Sequence, residues 1–135
     1  MSLFVLDSSV AVGFSSKALD LRDAVKSMIH EIIAPETFAS EVAHALTKAE
    51  RRKVIPIGDA AVHLTDILSV GPRLEPFLPL LPRAIEISSA TRIAVGDCLF
   101  LAVAEKEGCE LVTADNRLLI NAKGFPVVSL QDFTV

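Results

Sequence analysis

Apolar positions run along this chain in two alternating rhythms, short unbroken runs and longer stretches spaced three and four residues apart. Leu3 to Leu6 is the first run, and Asp7 closes it. A strand apolar on both faces belongs in the middle of a parallel sheet, which predicts Asp7 at the carboxyl end of a central strand. Leu21, Val25, Met28, Ile29 and Ile32 recur at helical spacing among Asp20, Arg22, Asp23 and Lys26, so an amphipathic helix is predicted from about Leu19 to Ile32. Ile33, Ala34 and Pro35 then form a short second strand or an extended link, because the residue before a proline avoids the helical region. The next helix runs from Glu36 to about Arg52, with Phe38, Val42, Ala45, Leu46 and Ala49 on its buried face and Glu41 at the border of that face.

Beyond Pro56, Ala61, Leu64, Ile67 and Leu68 draw the inward side of a helix from Ala60 to Val70, leaving His63 and Asp66 towards solvent. Pro72, Pro76, Pro79 and Pro82 crowd the following stretch, which suits a short edge strand around Leu74 to Leu78 and a helix from Leu81 to Thr91 with Pro82 in its first turn. From Cys98 to Ala104 every position is apolar, the mark of a helix buried on all sides, with Asp97 opening it and Gly108 ending it. Glu110 to Thr113 reads as a short buried strand with Asp115 just past it, and NRLLINAK as a further helix. A last strand spans Gly124 to Val128, and Ser129 to Phe133 makes a tail turn. Strands alternate with helices throughout without internal repeat, so the class is α/β, one domain over residues 1–135 with a mainly parallel sheet flanked by helices.

Composition narrows the setting. The content of 51% hydrophobic residues and the mean hydropathy of +0.49 exceed what one small core needs, which points to a face covered by another chain, a homodimer or an obligate partner. No apolar run approaches the ~18 residues that span a bilayer, and LFVL, with no basic residue before it, is not read as a signal peptide. Cys98 and Cys109 form no CxxC pair and read as small hydrophobes in a reducing cytoplasm. A net charge of −4 and a pI near 5.3 exclude a globally basic nucleic-acid binder, so an anionic substrate needs local help. Trp and Tyr are absent, which argues against an aromatic platform for stacked bases.

Four acids come from elements that an α/β chain brings to one edge. Asp7 and Asp115 follow strands, Asp97 starts a helix, and the carboxyl ends of parallel strands gather functional groups. Each has a plainer account. Asp97 and Asp115 stand where N-cap residues stand, and capping alone suffices for either taken singly. Glu41 has Ala45 rather than a cation four residues on, which removes the usual ion pair and leaves His44 as a partner within reach. Ser8 and Ser9 are ordinary turn residues, but their hydroxyls also suit a carboxylate or a metal-bound water. Lys48, Arg51, Arg52 and Lys53 complement the negative end of a helix dipole and are also candidates to hold a phosphate backbone.

Taken together, Asp7, Glu41, Asp97 and Asp115 strain the separate explanations. Four carboxylates within a few ångströms repel by on the order of several kcal/mol in a partly desolvated cleft, so such a cluster needs a cation or raised pKa values. Oxygen-only ligation, with His30, His44 and His63 scattered, selects Mg²⁺ or Mn²⁺ over zinc. An ion so held neutralises a phosphate and activates water, and phosphodiester hydrolysis fits best. A haloacid-dehalogenase-like phosphatase needs an acid where Ser9 stands, a response-regulator receiver needs an acidic pair and a late lysine, and no phosphate-binding glycine loop occurs.

The segments LFVLDSSV, PETFASEVAHAL, VGDCLFLAVAEKEG and LVTADNRL, in this order and at this spacing, resemble the PIN-domain nucleases, and within them the VapC-type toxins of type II toxin-antitoxin pairs. The resemblance covers the whole chain. It implies Asp7, Glu41, Asp97 and Asp115 as the acidic site, with Mg²⁺ or Mn²⁺ as cofactor, RNA as substrate and an antitoxin as partner. Ser9 and Thr113 match the supporting hydroxyl positions, while Asn116 and Arg117 stand where some relatives carry a further acid. The alternative from another class is a PIN-fold scaffold that binds RNA or a partner without cutting.

Overall fold

The computed structural model describes residues 2–13 and 16–134. Five parallel strands, β1 (Ser2–Leu6), β2 (His30–Pro35), β3 (Arg73–Glu75), β4 (Leu111–Thr113) and β5 (Val127–Ser129), form one sheet in the order β3-β2-β1-β4-β5. β1 lies at the centre, as its apolar faces demand, with Phe4, Val5 and Leu6 buried. Helices α1 (Ser8–Ala11) and α2 (Ser16–Lys26) lead from β1 to β2. Helices α3 (Thr37–Arg51) and α4 (Asp59–Val70) then pack together before β3, and α5 (Leu81–Thr91) packs on α6 (Val95–Glu107) before β4. Helix α7 (Asn116–Asn121) joins β4 to β5.

Where the sequence pattern was unambiguous, the elements match it. Every residue from Cys98 to Ala104 is buried in α6, Gly108 ends that helix in the left-handed conformation, and α5 carries Pro82 in its first turn. Free Cys98 is buried and free Cys109 half-buried. Three readings change. The helical spacing from Leu19 breaks at Met28, which takes a positive φ of 61°, so α2 stops at Lys26 and Ile32 belongs to β2, paired with Phe4. Parallel pairing to β1 outweighs a periodicity that reached across the turn by coincidence. Helix α4 buries Ala60, while Ala61 and Leu68 are exposed and His63 is half-buried. β3 is an edge strand but ends at Glu75, with a 3₁₀ turn from Leu78 to Leu80, because Pro76 and Pro79 donate no ladder hydrogen bonds.

Polar contacts pin the outer layers. Arg73 on the edge strand lies within ion-pair distance of Glu31, Glu75 and Glu107, and Lys106 pairs with Glu75 at 3.4 Å, which tethers β3 to α6. Glu50 Oε2 accepts from the backbone N–H groups of Gly58 at 2.7 Å and Ala60 at 3.0 Å, tying the start of α4 to α3. The tail turns back so that Phe133 stacks 4.9 Å from Phe4, between ring centroids. Among the described residues no single helix is long and apolar enough to cross a membrane.

Candidate active site

The chain runs from β1 out to β2 and β3 on one side, then returns to place β4 and β5 on the other. Loops after β1 and β4 therefore diverge, opening a crevice at the carboxyl ends of these two strands, where parallel α/β sheets bind ligands. Asp7 follows β1 directly and is only 5% exposed. It occupies the N-cap position of α1, yet its side chain makes no cap hydrogen bond. Its carboxylate faces two hydroxyls instead: Ser9 Oγ donates to Asp7 Oδ2 at 2.5 Å and Thr113 Oγ1 donates to the same oxygen at 2.7 Å. Ser9 Oγ in turn accepts from the Ala114 N–H at 3.1 Å, and Thr113 Oγ1 from the Asp115 N–H at 3.0 Å. The two hydroxyls thus stitch the β1 and β4 loops together and leave Asp7 Oδ1 outside this lattice.

Asp97 is not an N-cap. Helix α6 starts two residues before it, capped in position by Ala94, so Asp97 lies in the first turn, where its charge favours the helix dipole but its side chain is free to face the crevice. Asp115 does cap α7, with Oδ1 accepting from Arg117 N at 2.9 Å and Leu118 N at 3.3 Å. Capping engages that one oxygen and leaves Oδ2 free for a second task. Asp97 and Asp115 line a common cavity of about 210 Å³ with Arg92, Arg117 and Asn121. Glu41 reaches the same region from α3: a Cβ added to Gly96 would stand 4.0 Å from Glu41 Oε1, which puts this carboxylate over the first turn of α6. Glu41 Oε2 is buried without a hydrogen-bond partner, and His44, the partner suggested by spacing, is exposed.

The electrostatics reflect crowding. Burial raises the Glu41 carboxyl to about 7, with the charges of Asp97 and then Asp7 adding to the shift. Asp97 is raised by burial first, then by Asp7 and Asp115. Asp7 is raised by burial, against the lowering effect of the Ser9 and Thr113 hydroxyls, with the Asp115 charge adding to the rise. The charges of the four acids named from the sequence act on one another, although among the described residues no group of three or more acidic, His or Cys side chains is placed to hold a metal ion. The chemistry of the donor set, though not its spacing, suits a hard cation: it is all oxygen, and it includes an orphaned buried carboxylate oxygen. Lys48, Arg51, Arg52 and Lys53 are exposed around the carboxyl end of α3 and line none of this cavity. Arg51 is ten residues beyond Glu41, roughly 15 Å along the helix. Arg92 and Asn121, which do line it, carried no sequence signal beyond their type.

Asp115 allows the cap and the charge to be separated. Asp115→Ala is expected to cost about 1 kcal/mol of stability through the lost cap, whereas Asp115→Asn keeps the cap and removes only the charge. Thermal melts of both variants check this, and equal losses would mean that the α7 cap contributes nothing of its own.

The five-stranded parallel sheet with acids at its central switch point places the chain among the α/β folds, and the sequence profile described as PIN domain matches residues 4–124. The chain belongs to the PIN-domain family. Ribonuclease VapC12 of Mycobacterium tuberculosis is 31% identical to it over 117 residues, 86% of this chain and 89% of the relative. Among solved structures, PAE2754 from Pyrobaculum aerophilum superposes with a TM-score of 0.73 at 24% identity, covering 97% of this chain and 93% of that one. FitAcB from Neisseria gonorrhoeae gives a TM-score of 0.67 at 16% identity, covering 96% and 99%. VapBC2 from Rickettsia felis, solved with a DNA fragment from its promoter, gives 0.68 at 13% identity, covering 94% and 98%. At these identities the structures share the fold.

Proposed function

We propose that this protein is a Mg²⁺- or Mn²⁺-dependent endoribonuclease, the toxin of a toxin-antitoxin pair acting in the cytoplasm. The observation that carries the reading is the convergence of Asp7, Glu41, Asp97 and Asp115 at the β1–β4 switch point, each of the first three raised in pKa by burial and by its acidic neighbours. Its 31% identity to a ribonuclease supports the substrate class.

In this reading Asp7, Asp97 and Asp115 hold the cation, and Glu41 completes the set. A divalent ion there supplies charge neutralisation at the phosphate and polarises the attacking water. The chain's own part is positional. Ser9 and Thr113 fix the rotamer of Asp7 by donating to Oδ2. With no cation bound, burial and the neighbouring acids raise the Glu41 carboxyl to about 7, and a cation held by the set would favour its ionised form.

The antitoxin reading draws on a second surface. A mainly apolar cavity of about 130 Å³ between α1, α2, α3 and α4 is lined by Val10, Leu21, Leu46, Ile67 and Val70, with Arg22, Lys26 and Asp66 among its polar lining. An apolar antitoxin segment suits this groove, and exposed Leu74, Leu78 and Ile85 offer a homodimer apolar area to bury. Cleavage of single-stranded RNA is expected with Mg²⁺ or Mn²⁺ and is expected to stop in excess EDTA. Undiminished cutting with the chelator sinks the metal reading; RNA binding with no cutting under any metal establishes the scaffold instead.

A further inference from the structure

We propose that Arg92 and Arg117 form a two-pronged grip for an RNA backbone phosphate beside the acidic site, a local positive field at the acids of a chain of net charge −4. This rests on the nuclease reading and names the residues that admit its substrate. Both arginines line the 210 Å³ cavity that Asp97 and Asp115 also line, one from the α5–α6 turn and one from the first turn of α7.

Neither placement follows from the needs of the fold. Arg92 ends α5 in the left-handed conformation, with φ 63° and ψ 18°. The end of α6 uses Gly108 for the same conformation, since an L side chain is strained there. The strained turn is braced on both sides: Thr91 Oγ1 donates to Ile87 O at 2.7 Å and accepts from Ile93 N at 3.2 Å, and Ser88 Oγ donates to Ile93 O at 2.5 Å. These bonds hold the Arg92 backbone in place. Arg117 sits in the first turn of α7, where the helix dipole disfavours a cation. Both side chains are exposed, and neither is in an ion pair with a described residue, despite the two carboxylates in the same cavity. Guanidinium forks unpaired beside carboxylates leave their donors for a third, anionic group, and a phosphodiester presents the matching pair of oxygens.

An RNA strand approaching Asp97 and Asp115 meets repulsion, and a phosphate held between Arg92 and Arg117 offsets it at the point of entry. The grip is indifferent to base identity, because phosphate contacts position the strand and do not read it.

The test uses a fluorescein-labelled single-stranded RNA of mixed sequence. Anisotropy in EDTA reports binding between about 50 and 200 mM salt, and steady-state cleavage with Mn²⁺ reports KM and kcat. Arg92→Gly relieves the backbone strain, so a folding defect is not expected of it, and Arg117→Gln changes an exposed position. Each variant is expected to weaken binding roughly tenfold and to flatten the salt slope by about 0.7, raising KM far more than it lowers kcat. Arg117→Lys is expected to keep the salt slope and recover part of the affinity. Unchanged affinity and slope in both variants, with wild type cutting normally, overturn the grip and leave the nuclease reading intact. Wild type that binds RNA through these arginines without cutting does the reverse, and wild type that does neither overturns both.

Discussion

Asp7→Asn is expected to lower RNA cleavage by about a thousandfold or more while the protein keeps its fold. The magnitude follows from losing a ligand charge in a buried site, where a cation contributes several kcal/mol of transition-state stabilisation and about 1.4 kcal/mol is a factor of ten. Retention of the fold follows from the hydrogen bonds. Ser9 and Thr113 both donate to Asp7 Oδ2, and an amide oxygen accepts from both equally well. Because Asp7 is only 5% exposed and its pKa is raised by burial, the ionised carboxylate is a cost to the metal-free fold. The variant is therefore expected to melt no lower than wild type at pH 8. Single-turnover cleavage of a labelled RNA together with a melt at that pH decides the matter. Near-normal cleavage removes Asp7 from the chemistry, and a large drop in melting temperature reassigns it to structure.

The second large effect is on stability. Glu41 is raised from an ordinary 4.5 to about 7. Below about pH 4.5 both folded and unfolded chains hold the proton, and nothing is lost. As pH rises from there the unfolded chain releases its proton first, so stability falls through the window up to about 7 and stays reduced above it. Partial solvent screening limits the loss to roughly 1–2 kcal/mol. Asp97 shifts in the same direction and adds to it. Glu41→Gln is expected to abolish most of this dependence and to raise the metal-free melting temperature at pH 8. Mn²⁺ is expected to reverse the order. At a hundred times its dissociation constant it adds about 2.7 kcal/mol, on the order of 10 °C for a domain of this size, and Glu41→Gln should gain clearly less. Calorimetric or fluorescence melts of the two proteins, with and without Mn²⁺ at pH 5 and pH 8, measure all of this. Equal responses to Mn²⁺ would place Glu41 outside the cation site.

The carboxylates were legible in the sequence for unequal reasons. Asp7 was visible because an apolar run ending in an acid has few explanations. Asp97 and Asp115 were visible as acids beside helix starts but not distinguishable from caps, since capping depends on which residue is the first with helical dihedrals. The structure separates them: α6 begins at Val95, ahead of Asp97, whereas α7 begins at Asn116, just after Asp115. Glu41 was marked by a missing partner, and its Oε2 is indeed without one. Arg92 escaped notice because its significance lies in a cavity that it and Asp97 share with Asp115, Arg117 and Asn121, more than twenty positions further on than Arg92.

Local order along the chain determined the α/β class, the wholly buried helix α6 and the helix opened by Pro82, because burial on all faces and a fixed proline φ are properties of a segment by itself. The extent of α2, the face that α4 buries and the meeting of Asp7, Glu41, Asp97 and Asp115 belong to the tertiary structure. Ile32 is a strand residue only because β1 is there to pair with it, and the acids share a field only because β4 lies beside β1 rather than beside β3. Strand order is set by contacts between segments distant in sequence, whose closure entropy and packing no local pattern encodes.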